Sequence, residues 1–301
     1  MSDDRKQWFQ IKEQSAGKKR LLLTWFLYKI FGKRILYIIA FLMSVFTFIF
    51  SKEIREYSKE YLLIMEKFSN IKPDSMNQFK HIYSYAISLA DRILAYSGGF
   101  DVNNLVFESD DYKKQLFDDI NSQKGLFFIC NHIGNIEVLQ AFLLNEKTKK
   151  EFKINIFLSR KQSQTFNSFI SKIKKEMPVN IFLIEEIGIN TGAVLKDSLD
   201  NGNVVFIAGD RLAEENDMKY YTEELFNRKI YLPKGAFKLA KLMEVPVYFI
   251  SSIKIDKKYT IYLEKQNTIT EGELTKNFTK FLEKMILINP LQFFHFYKFF
   301  N

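Results

Sequence analysis

An imidazole and a carboxylate five positions apart, His132 and Glu137, lie in the stretch Gly125-Leu-Phe-Phe-Ile-Cys-Asn-His-Ile-Gly-Asn-Ile-Glu137. A histidine that takes a proton from a substrate needs a neighbour that fixes its tautomer and stabilises its cation. A nearby carboxylate does both. On one continuous helix the two side chains would diverge by about 140°. They meet only if His132 occupies a loop and Glu137 the first helical turn, with Gly134 supplying the turn and Asn135 the N-cap. With 35 acids and three histidines in 301 residues, about a third of one such spacing arises by chance. The apolar strand before the pair and the helix after it therefore carry the weight. The alternative is structural: a histidine closing a strand and a glutamate favouring a helix dipole.

The elements that must hold this pair follow from the pattern after Gly125. Apolar runs at 126–130, 154–158, 181–184, 204–208 and 247–253 alternate with helical stretches at 136–145, 164–175, 191–199 and 235–243. Continuous apolar strands between helices predict an α/β fold, a mostly parallel central sheet flanked by helices. Residues 259–264 alternate and predict an antiparallel edge strand; 274–287 predict a closing helix. Upstream, 54–68, 79–96 and 111–120 read as helices, with Pro73-Asp74 between the first two and Gly98-Gly99 ending the second. The expected division is an N-terminal anchor segment, 1–60, and an α/β domain, 61–301, whose first part, 61–120, is a helical lead-in.

Function gathers at the carboxyl ends of parallel strands. Polar groups stand at four of them: Asn131-His132, Ser159-Arg160, Glu185-Glu186 and Gly209-Asp210-Arg211. Arg160 suits a phosphate or an oxyanion, or else a salt bridge at the sheet rim. Asp210 and Arg211 suit ligand contacts, since Gly209 lets backbone approach closely, or else an internal ion pair. Glu185-Glu186 reads as a solvated strand end. Cys130 shares a side with His132 if the strand continues that far, so a Cys–His thioesterase is conceivable, although the apolar run favours a buried thiol. His81 and His295 read as packing residues. Three scattered histidines and one cysteine predict no metal site and no disulfide, and neither a phosphate-binding glycine loop nor a Gly-x-Ser-x-Gly elbow is present.

The formal charge is +9, and 31 of the residues are Phe. The charge concentrates at the start: residues 1–34 hold nine Lys or Arg and three Asp or Glu. It flanks an apolar segment, Leu21 to Phe31 and Ile35 to Phe50. Basic residues beside apolar helices favour anionic lipid headgroups over nucleic acid. Residues 21–50 therefore read as a membrane anchor, a short span or a helix embedded in one leaflet; a buried core helix is the alternative.

His132-Ile-Gly-Asn-Ile-Glu137 resembles the His-x4-acid signature of the lysophospholipid acyltransferase superfamily, in the branch of the bacterial lipid A late acyltransferases. Within that branch the chain looks similar to the acyltransferases encoded beside aryl-polyene or fatty-acid-type synthase clusters. Other blocks resemble the family too: Trp8, Glu13, Gly17, Tyr28, Gly32 and Arg34 near the start, Val205-Phe-Ile-Ala-Gly-Asp210-Arg211, Phe226 to Gly235, and the ending Pro290-Leu-Gln-Phe-Phe-His-Phe-Tyr. Phe293-Phe294 depart from it, where many relatives carry Trp. The resemblance implies transfer of an acyl chain from a thioester, on acyl carrier protein or CoA, to a hydroxyl of a membrane lipid or glycolipid. It places the reaction at the cytoplasmic face of a bacterial inner membrane and calls for no cofactor. It makes His132 the general base oriented by Glu137, with Asn131, Arg160, Asp210, Arg211 and Gly235 around the substrate. A lipid-binding protein without catalysis is the other outcome.

Overall fold

A computed structural model describes residues 18–122, 124–145, 151–160, 162–163, 178–212, 220–267 and 270–300. The chain is α/β, built on a seven-stranded sheet in the order β1-β9-β8-β2-β5-β3-β4. The strands are β1 (Leu105–Phe107), β2 (Leu126–Gly134), β3 (Ile154–Leu158), β4 (Val179–Leu183), β5 (Val204–Ala208), β8 (Val247–Ile255) and β9 (Lys258–Gln266). β8, β2, β5, β3 and β4 run parallel to one another; β9 returns antiparallel to β8 and β1 follows β9. The strand at 259–264 is thus antiparallel as expected, but it is not the edge, because β1 covers it. β6 (Tyr220–Leu225) and β7 (Arg228–Pro233) form a separate hairpin in a stretch where the apolar pattern assigns no element.

Helices cover both faces. α5 (Asp110–Asn121) and α6 (Ile136–Asn145) lie over one, where Leu116, Ile120, Val138 and Leu139 meet Phe128, Phe206 and Tyr248. α8 (Lys234–Met243) and α9 (Glu271–Ile288) lie over the other, where Phe237 and Phe278 pack on Phe249. α7 (Ile189–Asp200) joins that side through Leu195 and Leu199. Burying alternate strand residues against each layer supplies the main driving force for the fold. The expected helix at 164–175 and the N-terminal residues Trp8, Glu13 and Gly17 lie outside the described residues.

At the N-terminal end, α1 (Lys18–Phe31) and α2 (Lys33–Phe50) meet at Gly32, whose φ is 74°. α3 (Lys52–Met65) buries Tyr57, Tyr61, Leu62 and Met65, and the last three join the main core. The division at residue 60 therefore falls inside a helix that belongs to the α/β body. α4 (Ser75–Tyr96) starts at an Asp74 cap that accepts from the Asn77 N–H at 2.8 Å. It lies between α2 and the sheet: Leu36 and Ala40 of α2 pack on Ala90, Ile93 and Leu94. Asp91 fastens the layers together, accepting from Tyr37, Lys254 and Tyr259 at 2.7, 2.7 and 2.8 Å.

Candidate active site

β2 and β5 are neighbours in register, with Cys130 opposite Ala208. Two residues past each, His132 and Asp210 come level on the same side. The Gly209 N–H donates to the Cys130 carbonyl at 2.9 Å and extends the pairing to that point. On its other flank β2 bulges against β8: Cys130 pairs with Ile250 and Gly134 with Ser252, so four steps of β2 face two of β8. A bulge of this kind re-aims side chains, and this one turns His132 out of the sheet. Gly134 ends it at φ 67°, and a Cβ there would collide with the Ser252 carbonyl.

His132 hydrogen-bonds to Asp210, not to Glu137. Its Nδ1 lies 2.7 Å from Asp210 Oδ1, and its backbone N–H donates to Oδ2 at 2.7 Å. Burial alone would raise the Asp210 carboxyl. His132 and its hydrogen bond, then His295 and Arg211, outweigh that and hold it well below the usual carboxylate range. An ionised carboxylate only accepts, so Nδ1 carries the proton and Nε2 presents its lone pair. The His132 side chain is 30 % exposed and that of Asp210 is 0 % exposed, so the imidazole is partly open on an enclosed support. Burial, then Arg211, lower the His132 pKa below its ordinary 6.5, against the pull of Asp210 and Glu137.

Glu137 does sit in the first turn of α6, as expected, but its carboxylate pairs with Arg92 of α4 at 2.7 Å. Its effect on His132 is a field, not a hydrogen bond. The expectation that Glu137 orients the imidazole is corrected: the register of β2 and β5 gives that place to Asp210. Asn135 also differs from the expected cap, since its side-chain N–H2 donates to the Ser88 carbonyl at 2.8 Å and braces α4 against the bulge.

The remaining candidates separate. Asn131 is buried, exchanging hydrogen bonds with Ser251 and accepting from the Ile133 N–H at 3.2 Å, so it holds the bulge instead of facing a substrate. Arg160 is exposed, paired with Glu186 at 2.7 Å, and its backbone N–H donates to Glu185 at 2.9 Å; it is the rim salt bridge of the alternative reading. Arg211 lies beside the dyad, donates to the Phe294 carbonyl at 3.0 Å and faces the Tyr297 ring. Asp210 therefore supports His132, and Arg160 pairs with Glu186 away from it. Gly235 is exposed in the first turn of α8, where a Cβ would meet nothing within 4 Å. Cys130 is buried, its thiol directed at the Ile207 carbonyl at 3.3 Å, and burial pushes its pKa up, away from the thiolate a nucleophile needs.

His295 is the group that sequence reasoning assigned elsewhere. The tail carrying it runs beside the bulge: Ile133 bridges Phe293, and the Phe294 N–H donates to the His132 carbonyl at 3.3 Å. This brings His295 Nε2 to 3.4 Å from Asp210 Oδ2. The histidines are therefore less scattered than their positions suggest. Donor atoms of His132, Asp210 and His295 lie within 4.8 Å of one another, close enough to share a cation. The neighbouring Arg211 guanidinium opposes a dication there. His81 is the packing residue expected, buried between Ser58 and the Phe293 carbonyl and lowered to about 4 by burial.

In sequence comparison, no protein-family model and no curated protein matches this chain.

Proposed function

We propose that this chain is a membrane-associated acyltransferase, moving an acyl group from a thioester on acyl carrier protein or CoA to a hydroxyl of a lipid or glycolipid. One observation carries the reading: a partly open imidazole whose Nδ1–H is fixed by an enclosed, ionised carboxylate. That is the arrangement of a general base. The resemblance around His132, Asp210-Arg211 and the C-terminal block supplies the reaction class.

In this scheme His132 Nε2 takes the proton of the acceptor hydroxyl as its oxygen bonds to the thioester carbonyl carbon. The carbon–sulfur bond then breaks, and the leaving thiolate takes that proton back from the imidazolium. Asp210 stabilises the imidazolium meanwhile. The thioester is already activated, so no enzyme nucleophile is needed. Burial of Cys130 speaks against the Cys–His thioesterase. Among the described residues, Arg211, beside the dyad, is the cation placed to meet an anionic headgroup or a carrier phosphate.

The apolar N-terminal helices support attachment to a bilayer. α2 has 18 residues of mean hydropathy 1.9 and is only 17 % buried. Phe41, Leu42, Phe46, Ile49 and Phe50 are exposed on it, and Leu23, Phe26, Ile30 and Phe31 on α1. Lys29, Lys33 and Arg34 stand at one end of α2, and Lys52 and Arg55 at the other. α4, with the charged Lys80, Asp91 and Arg92, lies along the inner side of α2. An upright span would carry those charges into hydrocarbon, so we read α2 as embedded along one leaflet, with its cations at headgroup level. The anchor then brings the dyad to the bacterial cytoplasmic membrane surface, where the acceptor lies. The experiment is direct: purified protein, acyl-CoA or acyl carrier protein thioester and a membrane lipid extract, read by mass spectrometry. Acylated lipid is expected. Thioester hydrolysis without acylated lipid, or lipid binding without turnover, contradicts the reading.

A further inference from the structure

The C-terminal tail adds a third group to the dyad. His295 is 3 % exposed. Its ring stacks on Phe293, with centroids 3.9 Å apart and planes at 22°, and Phe299 and Tyr297 flank it at 4.5 and 5.1 Å. Among the described residues neither ring nitrogen has a hydrogen-bond partner of full geometry, while Nε2 stands 3.4 Å from Asp210 Oδ2 and the Asp210 backbone also acts on the ring. A buried imidazole in that state calls for an explanation, because enclosed polar groups are normally satisfied.

We propose that His295 is a positioning residue for the base: as the Nε2–H tautomer it aims its proton at Asp210 Oδ2 and, together with the His132 backbone N–H on that oxygen, holds the carboxylate with Oδ1 turned to His132 Nδ1. This rests on the reading of His132 as proton acceptor. Asp210 has the capacity, since a carboxylate offers about four lone-pair sites. An ionised carboxylate only accepts, so the nitrogen facing it must carry hydrogen. The ring's place is fixed from β2 itself, through the Ile133–Phe293 bridge and the Phe294 N–H on the His132 carbonyl. At 3.4 Å the contact is long for a hydrogen bond.

The charged and titratable groups facing His295 are Asp210, Arg211, His132 and Tyr297, and Glu137 adds its field at His132. Burial, with Arg211 and His132, keeps the His295 ring neutral against the pull of Asp210. It therefore contributes a dipole and not a charge. A donor on Oδ2 draws negative charge away from the carboxylate, so the carboxylate stabilises the His132 imidazolium less. His132 then stays free to accept a proton down to lower pH.

The test uses the full chain in lipid nanodiscs, labelled with 15N-histidine, and follows the ring nitrogens by NMR between pH 5 and 8. With three histidines in the chain, each ring can be assigned. His295 is expected to hold its proton on Nε2 throughout. His295→Phe keeps the stacking and removes the donor; it is expected to raise the His132 midpoint by about half to one pH unit. His295→Gln, which restores an N–H near the Nε2 position, is expected to bring the midpoint back. An Nδ1–H tautomer in the wild type, or an unmoved His132 midpoint in folded His295→Phe, overturns the proposal. Should His295→Phe fail to fold, the wild-type tautomer decides. The readout is separate from turnover: tautomers as expected with no acyl transfer would overturn the functional reading and leave His295's placement standing.

Discussion

Replacing Asp210 with Asn and, separately, Glu137 with Gln sets the geometry against the motif. Asp210 accepts two hydrogen bonds from His132 at 2.7 Å each, and its side chain is fully enclosed. Asparagine keeps the shape but loses the charge, and its amide N–H2 must face one of two donors. Breaking a buried pair on one side costs about 3–5 kcal/mol. If that loss falls on the imidazolium of the transition state, kcat/KM drops by roughly 10²–10⁴-fold. Glu137 pairs with Arg92 at a partly exposed site, 18 % and 40 % accessible. Such a pair is worth up to about 1 kcal/mol, and the field at His132 adds little, so Glu137→Gln should cost less than about tenfold. Initial rates with an acyl thioester and lipid acceptor measure both, and thermal melting controls for folding. A loss of about 10² or more in Glu137→Gln, with Asp210→Asn within tenfold, would refute the assignment of Asp210 as partner.

The same geometry predicts three further outcomes. Burial and Arg211 lower the His132 pKa, so kcat/KM should fall as pH drops through a midpoint below about 6.5 and be level above it; a midpoint above about 7, with chemistry rate-limiting, is inconsistent with that environment. Cys130→Ser should keep acyl transfer within about twofold, because the thiol is enclosed and protonated, and a trapped acyl-cysteine would revive the thioesterase. Changing Phe46, Ile49 and Phe50 together to Ser should release the protein from liposomes in flotation, since three lipid-buried side chains are worth about 4.5–9 kcal/mol; undiminished flotation would remove α2 as the anchor.

Much of the sheet was legible from apolar runs alone. The strands at 154–158 and 204–208 and the helix at 136–145 fall where the sequence puts them, because continuous hydrophobic runs between helices have few other homes. The hairpin of β6 and β7 was hidden: its turn uses Phe226 and Asn227 at φ 52° and 56°, without the glycine that usually marks such a turn. β1 has three residues, too few for a periodic signal. At the site, local reading singled out His132 and put Glu137 in the first helical turn, where it lies, yet missed who touches whom. Strand order pairs β2 with β5, and only that register brings Asp210 to an imidazole 78 positions away. The extension of β2 through Gly134 was likewise unreadable, because a bulge is paid for by the partner strand and leaves no period of its own. His295 needed the tail's path beside Ile133, which no spacing encodes.

The most direct measurement compares acyl transfer by wild type and His132→Ala, both folded and bound to the same lipid vesicles. A positioned general base contributes about 10²–10⁴-fold, so the variant should lose that much in kcat while its vesicle affinity is retained. Equal turnover by the two proteins would contradict the account, since the proton would then leave the acceptor by a route that does not pass through His132.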